Sequence, residues 1–155
     1  KEKCKVILMH MRGTPKTMQE KKHYNCPWGE IVDEMVNKAA YALQNKISPQ
    51  RIYLDPGIGF AKDTNINLFL MGRLDKLRAL GYPIMLGPSR KSFMSTLFPN
   101  HRPQQRDIQS AGIAALAAAN GVSLLRLHSG KYRNAWIAAW AAGKAQNQAQ
   151  KYYKT

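Results

Sequence analysis

The sequence predicts an α/β fold of parallel βα units, and three observations carry that prediction. Short apolar runs suited to strands recur at Lys5–Met9, Arg51–Leu54, Pro83–Leu86 and Leu124–Leu127. The segments between them are long enough for one helix and two loops each, which favours crossover connections over hairpins. Polar residues follow every run: His10 and Arg12, then Asp55-Pro56-Gly57, then Gly87-Pro88-Ser89 with Lys91, then Arg126 with His128. In parallel βα architectures the ligand-binding groups collect at these C-terminal strand ends.

The helices follow from periodicity. From Pro27 to Lys46, Ile31, Val32, Met35, Val36, Ala39 and Leu43 fall at three- and four-residue steps, and Pro27 suits a first helical turn. Thr64–Leu80 repeats the pattern with Ile66, Leu68, Leu70, Met71, Leu74 and Leu77, opened by Asp63 or Thr64 as N-cap and closed by Gly81. Gln104–Asn120 is rich in alanine, which permits close packing of helix on sheet, and ends at Gly121. Lys131–Thr155 carries Trp136 and Trp140 and reads as a final helix fraying into an Ala/Gln/Lys tail.

The 155 residues suit one domain without an internal linker. A complete eight-stranded βα barrel takes roughly 250 residues, so these units amount to about half of one, (β/α)4. Nothing at Lys1 resembles a signal peptide and no apolar stretch approaches the roughly 20 residues of a membrane span. A soluble chain is expected, with any targeting segment outside it. Cys4 and Cys26 match no zinc or redox spacing and read as reduced thiols. The net charge of +15 is scattered, without an arginine stripe or interleaved aromatics, so no nucleic-acid or membrane partner is expected.

Residues two apart on a strand face the same way. Arg126 and His128 therefore point together, as do Tyr53 and Asp55, and Gly87 and Ser89. A carboxylate, clustered cations and the ring of Phe60 suit a flat heterocycle carrying phosphate. Plainer readings stand beside this one. Asp55 before Pro-Gly suits a turn, His10 suits a hydrogen-bonded structural histidine as well as a ligand contact, and Lys16, Lys21, Lys22 and Lys62 are most simply solvated charges.

Four stretches make the pattern specific: Leu8-Met9-His10-Met11-Arg12-Gly13-Thr14-Pro15-Lys16-Thr17-Met18-Gln19, Asp55-Pro56-Gly57-Ile58-Gly59-Phe60-Ala61-Lys62, Leu86-Gly87-Pro88-Ser89-Arg90-Lys91-Ser92-Phe93 and Leu125-Arg126-Leu127-His128. In order and spacing they resemble the C-terminal motifs of the dihydropteroate synthase family, a TIM (β/α)8 barrel family and a sulfonamide target. The resemblance implies a transferase of folate biosynthesis that condenses dihydropterin-methyl diphosphate with p-aminobenzoate and releases pyrophosphate. It implies that Asp55 accepts hydrogen bonds from the amino-pyrimidine edge of the pterin and that Lys91 bonds the pterin carbonyl and ring nitrogen. Met9, Gly59 and Phe60 would line that pocket. Ser89, with Arg90 beside it, would hold the p-aminobenzoate carboxylate, Arg126 would flank the pterin and help hold phosphate, and His128 would bind the diphosphate. Lys91, Arg126 and His128 are thus the expected catalytic residues. Ser89-Arg90-Lys91 favours a synthase over a folate-dependent methyltransferase on a related pterin-binding barrel. A non-catalytic half-barrel is the other alternative.

The resemblance begins at the family's fifth strand. It therefore implies one partial pterin-binding domain over 1–155, lacking the N-terminal half that brings Mg2+ and most diphosphate contacts. This chain supplies no metal ligand of its own, and alone it is expected to be inactive. A homodimer is implied for the full-length protein, in the cytoplasm or, in a plant-like source, the mitochondrion. After His128 the family continues with Asp or Asn, whereas this chain reads Ser129-Gly130-Lys131, so a group that would orient His128 is expected to be lost.

Overall fold

Backbone pairing in a computed structural model, which describes residues 4–149, brings the strands together in chain order. β1 (Val6–Met9) and β2 (Ile52–Asp55) are parallel, in register from Val6 opposite Ile52 to Met9 opposite Asp55. Leu54 bridges Ile84 at the start of β3 (Met85–Leu86), and β3 runs parallel to β4 (Leu124–Leu125). β4 is shorter than the expected Leu124–Leu127. Arg126 still donates its N–H to the Leu86 carbonyl at 3.0 Å, but the His128 N–H turns to the Ser89 hydroxyl and leaves the ladder.

Each crossover carries helix. α1 (Pro27–Gln44) starts with Pro27 in its first turn and buries Ile31, Met35, Ala39 and Ala42. Val36 and Leu43, expected on the same face, lie toward solvent. The single helix expected over Thr64–Leu80 is two, α2 (Thr64–Met71) and α3 (Leu74–Arg78). Asp63 is the N-cap, its carboxylate accepting the Ile66 N–H at 2.8 Å. The break falls at Gly72-Arg73, where a poor helix former is followed by a residue at φ −129°, whose guanidinium stacks 3.7 Å over the Phe69 ring. A short α4 (Met94–Leu97), which no periodicity announces, follows β3. α5 (Asp107–Ala119) grows out of the 3-10 turn Pro103–Arg106 and buries Ala111, Ala114, Ala117 and Ala118.

α6 (Arg133–Ala149) packs on α5, where a Cβ on Gly143 would collide with the Ala119 backbone. The close crossing is available only to glycine. The tail expected to fray beyond Ala149 lies outside the described residues.

The alternation of the strands sorts their side chains. Ile52, Leu54, Ile84 and Leu86 are fully buried beneath the helices, packed with Ile31, Met35, Leu70 and Leu77. The register places Ile7, Met9, Tyr53, Asp55, Met85, Gly87, Leu124 and Arg126 on the other face. Its lower layer is partly open, with Ile7 46% and Leu124 43% exposed, and its upper layer holds the polar groups. Among the described residues no helix is long and apolar enough to cross a membrane. Cys4 and Cys26 are both free and exposed.

Candidate functional site

Asp55 ends β2 and is 3% exposed. Its backbone carbonyl accepts the His10 N–H at 2.8 Å, and its Oδ1 accepts the Gly57 N–H at 2.8 Å, so both chain and side chain are fixed. Burial pushes the carboxyl above the usual aspartate range, against the pull of the Gly57 N–H and of Arg126, Lys91 and Lys62. Gly57 has φ +67°, and a Cβ there would collide with the His10 carbonyl. Gly59 has φ +82°, and its N–H is held at 2.8 Å by Oδ1 of the buried Asn67. Met9 lies against Gly57 on the β1 side.

Lys62 is not the solvated charge expected of it. It is 4% exposed, and its ammonium reaches His10 Nδ1 at 2.8 Å, the Phe60 carbonyl at 3.0 Å and the Gly57 carbonyl at 3.3 Å. Burial is the main reason its pKa falls to about 7, with Asp55 pulling upward. An ammonium only donates, so His10 Nδ1 accepts and the imidazole proton sits on Nε2. That nitrogen is 3.0 Å from Glu34 Oε2 but off the line of a hydrogen bond. His10 is fully buried, and burial with the Lys62 charge holds its pKa near 4. It is the structural histidine of the two readings.

Arg12 is likewise committed to the scaffold. It donates to Glu34 at 2.8 Å, to Glu30 at 2.6 Å and to the His23 carbonyl at 2.9 Å, and stacks 4.0 Å over Tyr24. The Tyr24 hydroxyl in turn donates to the Ala61 carbonyl at 2.9 Å, which ties this cluster to the turn after Asp55.

The ends of β3 and β4 form an open cleft of about 440 Å³ lined by Gly87, Ser89, Lys91, Arg126, Leu127 and His128. Gly87 has no side chain, so the Arg126 guanidinium lies over it, 3.1 Å from where a Cβ would be. Lys91 sits 3.9 Å over the Phe60 ring and so joins this cleft to the Asp55 turn. Burial lowers its pKa, and the charge of Arg126 lowers it further. The Ser89 hydroxyl accepts the His128 N–H at 3.1 Å and lies 3.0 Å from His128 Nδ1. The orienting group expected to be lost after His128 is thus supplied by Ser89, across the cleft. A second, polar cleft of about 230 Å³ lies beyond Gly59 and Lys62, with Ser92 and Lys22 in its wall.

Arg90 faces away from the first cleft. Its guanidinium makes a two-pronged contact with Asp107 at the start of α5, at 2.7 and 2.9 Å, and its N–H goes to the Ser110 hydroxyl at 2.9 Å. With φ +57° it turns the chain so that Ser89 and Lys91, its neighbours, enter the cleft. Sequence reasoning missed Lys62, Asn67 and Asp107. Only Lys62 gave a signal, by closing the Asp55 motif. Among the described residues no group of three or more His, Cys, Asp or Glu is placed to hold a metal ion.

Known proteins are similar to this chain in sequence and fold. The family described as pterin binding enzyme matches residues 1–128 and stops at His128, where the motif pattern also stops. A dihydropteroate synthase from Synechocystis sp. is 37% identical over 126 residues, 81% of this chain and 44% of that protein. The Yersinia pestis dihydropteroate synthase in complex with a sulfonamide drug superposes with a TM-score of 0.82 at 33% identity, covering 93% of this chain and 51% of that one. Two structures of the Thermus thermophilus enzyme, one with 4-aminobenzoate and one with 6HMPPP, are 36% identical with TM-scores of 0.80. They cover 87% of this chain and 55% and 54% of theirs. The chain spans about half the length of the curated relatives it matches. On the strength of the match over 1–128 and the superposition on enzymes of a TIM-barrel family, this chain belongs to the family of pterin-binding enzymes.

Proposed function

We propose that this chain provides the C-terminal (β/α)4 part of a dihydropteroate synthase and holds the pterin and its leaving diphosphate. The observation that carries the proposal is the convergence of one buried carboxylate, Asp55, with Lys91 and Arg126 at the ends of three neighbouring strands. One Asp55 oxygen is taken by the Gly57 N–H, which leaves the other free to accept from a heterocycle. Lys91 over Phe60 offers N–H donors beside an aromatic wall, where a ring carbonyl and nitrogen would be met. Met9, Gly59 and Phe60 complete that wall.

The chemistry follows from charge. As the C–O bond to diphosphate breaks, negative charge grows on the leaving oxygens and the pterin spreads the positive charge left on the methylene carbon. Cations fixed beforehand stabilise that separation without reorganising. Arg126 and His128 line the cleft where the diphosphate would lie, His128 steadied by Ser89. The arylamine of p-aminobenzoate then attacks the methylene carbon, and the proton its nitrogen loses passes to solvent. Its carboxylate would meet the Ser89 side of the cleft, with Arg90 acting through its hold on the chain there. For the whole protein the proposal includes Mg2+, with its ligands mainly outside this chain.

The partly open lower face of the sheet supports the half-barrel coverage, since Ile7 and Leu124 are apolar side chains that an opposing layer would cover. The homodimer belongs to the full-length protein, supported by an apolar groove of about 450 Å³ that Leu68, Leu97, Phe98 and Leu116 share between α2, α4 and α5. A cytoplasmic site of action completes the reading.

The test is calorimetry of 6-hydroxymethylpterin on the full-length protein. Asp55→Asn and Lys91→Ala should each weaken binding ten- to a hundredfold, about 1.5–3 kcal/mol for a charge-assisted bond in a desolvated pocket. Wild-type affinity in both variants overturns the assignment.

A further inference from the structure

We propose that Lys62 is a positioning residue of the pterin pocket, its ammonium stapling the Gly57–Phe60 turn to the end of β1. The proposal rests on the pterin reading above and adds to it a residue outside the expected contacts. Three N–H groups meet three acceptors: two are carbonyls of the turn itself, Gly57 and Phe60, and the third is His10 Nδ1 on the neighbouring strand. A buried ammonium is tolerated only when fully hydrogen-bonded, and among the described residues no carboxylate bonds it. The charges that act on it are Asp55 from β2, Glu34 and Lys38 from α1, and Arg12 from the loop after β1. Its bonds therefore serve the backbone rather than an ion pair.

The turn needs such a staple. Gly57, Gly59 and Ala61 all have positive φ, at +67°, +82° and +48°, and Ala61 does so at a cost that glycine avoids. Strained backbone persists only where its surroundings over-determine it. Flexible glycines without a tie would let Gly59 and Phe60 leave the wall they share with Lys91. A compact ammonium also fits three acceptors that a planar guanidinium does not.

Protonation supplies a handle. Burial brings the Lys62 pKa to about 7, and the neutral amine has only two N–H groups; its bond to His10 then survives only if the imidazole proton moves to Nδ1, which turns a bare Nε2 toward the Glu34 carboxylate, so the staple weakens as pH rises through that value. His10, near 4, titrates well below this window.

The experiment uses the full-length protein with two readouts, amide hydrogen exchange at Gly59 and Phe60 and calorimetric binding of 6-hydroxymethylpterin. Lys62→Met should speed exchange at both amides, relative to the core amides of β2, and weaken pterin binding at least tenfold. Lys62→Arg should not restore either. In the wild type, pterin affinity should fall between about pH 6 and 8, and Lys62→Met should lack that step. Wild-type exchange at Gly59 and Phe60 in Lys62→Met overturns the proposal. Should that variant not fold, the wild type decides: exchange at the two amides, corrected for base catalysis, that does not rise across this window overturns it equally. A wild type that binds no pterin sinks the functional reading instead, and the staple still stands or falls on the exchange rates.

Discussion

The turn after β2 and the cation cluster at the ends of β3 and β4 face one another across Lys91, yet they are built on opposite terms. In the turn the polar groups are buried and bonded: Asp55 to Gly57, Lys62 to three acceptors, Asn67 to Gly59 and Asp63. In the cluster, the side chains of Arg126 and Lys91 make no hydrogen bond among the described residues, and the charge of Arg126 lowers the pKa of Lys91. The turn is finished by the fold itself, save for the second Asp55 oxygen. Under the proposed function the cluster's cations are kept for the anionic part of the ligand, which is how a site keeps binding energy for its ligand.

Breaking the turn should therefore cost stability. Gly57→Ala combines a positive φ with a collision against the His10 carbonyl, where β1 and β2 meet, and should destabilise by about 3–5 kcal/mol in urea unfolding. Gly81→Ala is the control. Its φ is +83° but a Cβ would stand in open space, so only the strain of about 1–2 kcal/mol applies. Equal losses at both positions would mean that the contact with His10 carries no weight.

The buried pair behind the turn should show in the pH dependence of stability. His10 has a folded pKa near 4, below the 6.5 of a free histidine, so between these values the unfolded chain binds more protons than the folded one. Stability then rises with pH through that window and is lost as pH falls, by at most about 1.4 kcal/mol per pH unit. Asp55 works the other way, since its folded pKa is raised and its contribution falls as pH rises. His10→Gln isolates the two: urea unfolding across the window should lose the histidine slope and keep the aspartate one.

The helix that leaves the turn offers a smaller lever. Asp63→Ala removes the side-chain acceptor of the Ile66 N–H and should cost about 1 kcal/mol. Pterin binding should stay unchanged, because Asn67 and not Asp63 holds Gly59. A loss of affinity here would show that the cap and the turn move as one unit.

Sequence reading reached what local chemistry encodes. The strand runs, the glycines of Asp55-Pro56-Gly57-Ile58-Gly59 and the same-face pairing of Tyr53 with Asp55 depend on neighbours in the chain. So did the Asp63 cap, and the departure after His128 coincides with the end of the family match. Lys62 was hidden because its partner His10 lies 52 residues away, and a lysine in a chain with 24 Lys and Arg carries no mark of burial. Arg90 belonged by motif to the substrate side, but Asp107, 17 residues on, draws its side chain out of the cleft. The break at Gly72-Arg73 had a local cue in the glycine, overridden in reading by the apolar period on either side.

The smallest stability effect, and the sharpest contrast with Lys62, belongs to Arg126. Its guanidinium lies over Gly87 without an acceptor among the described residues, and it stands beside Lys91, whose charge it opposes. Removing it loses packing over Gly87 and the attraction to Asp55, and relieves the repulsion of Lys91. These oppose one another, so Arg126→Ala should change unfolding stability by no more than about 0.5 kcal/mol, the range of an ordinary surface change. Binding should respond quite differently. A guanidinium left free for phosphate oxygens contributes charge-assisted bonds, and affinity for pyrophosphate in the full-length protein should fall about tenfold or more. A variant that unfolds easily but still binds pyrophosphate would reverse the comparison, making the cluster a structural element and the turn the place where the anion is held.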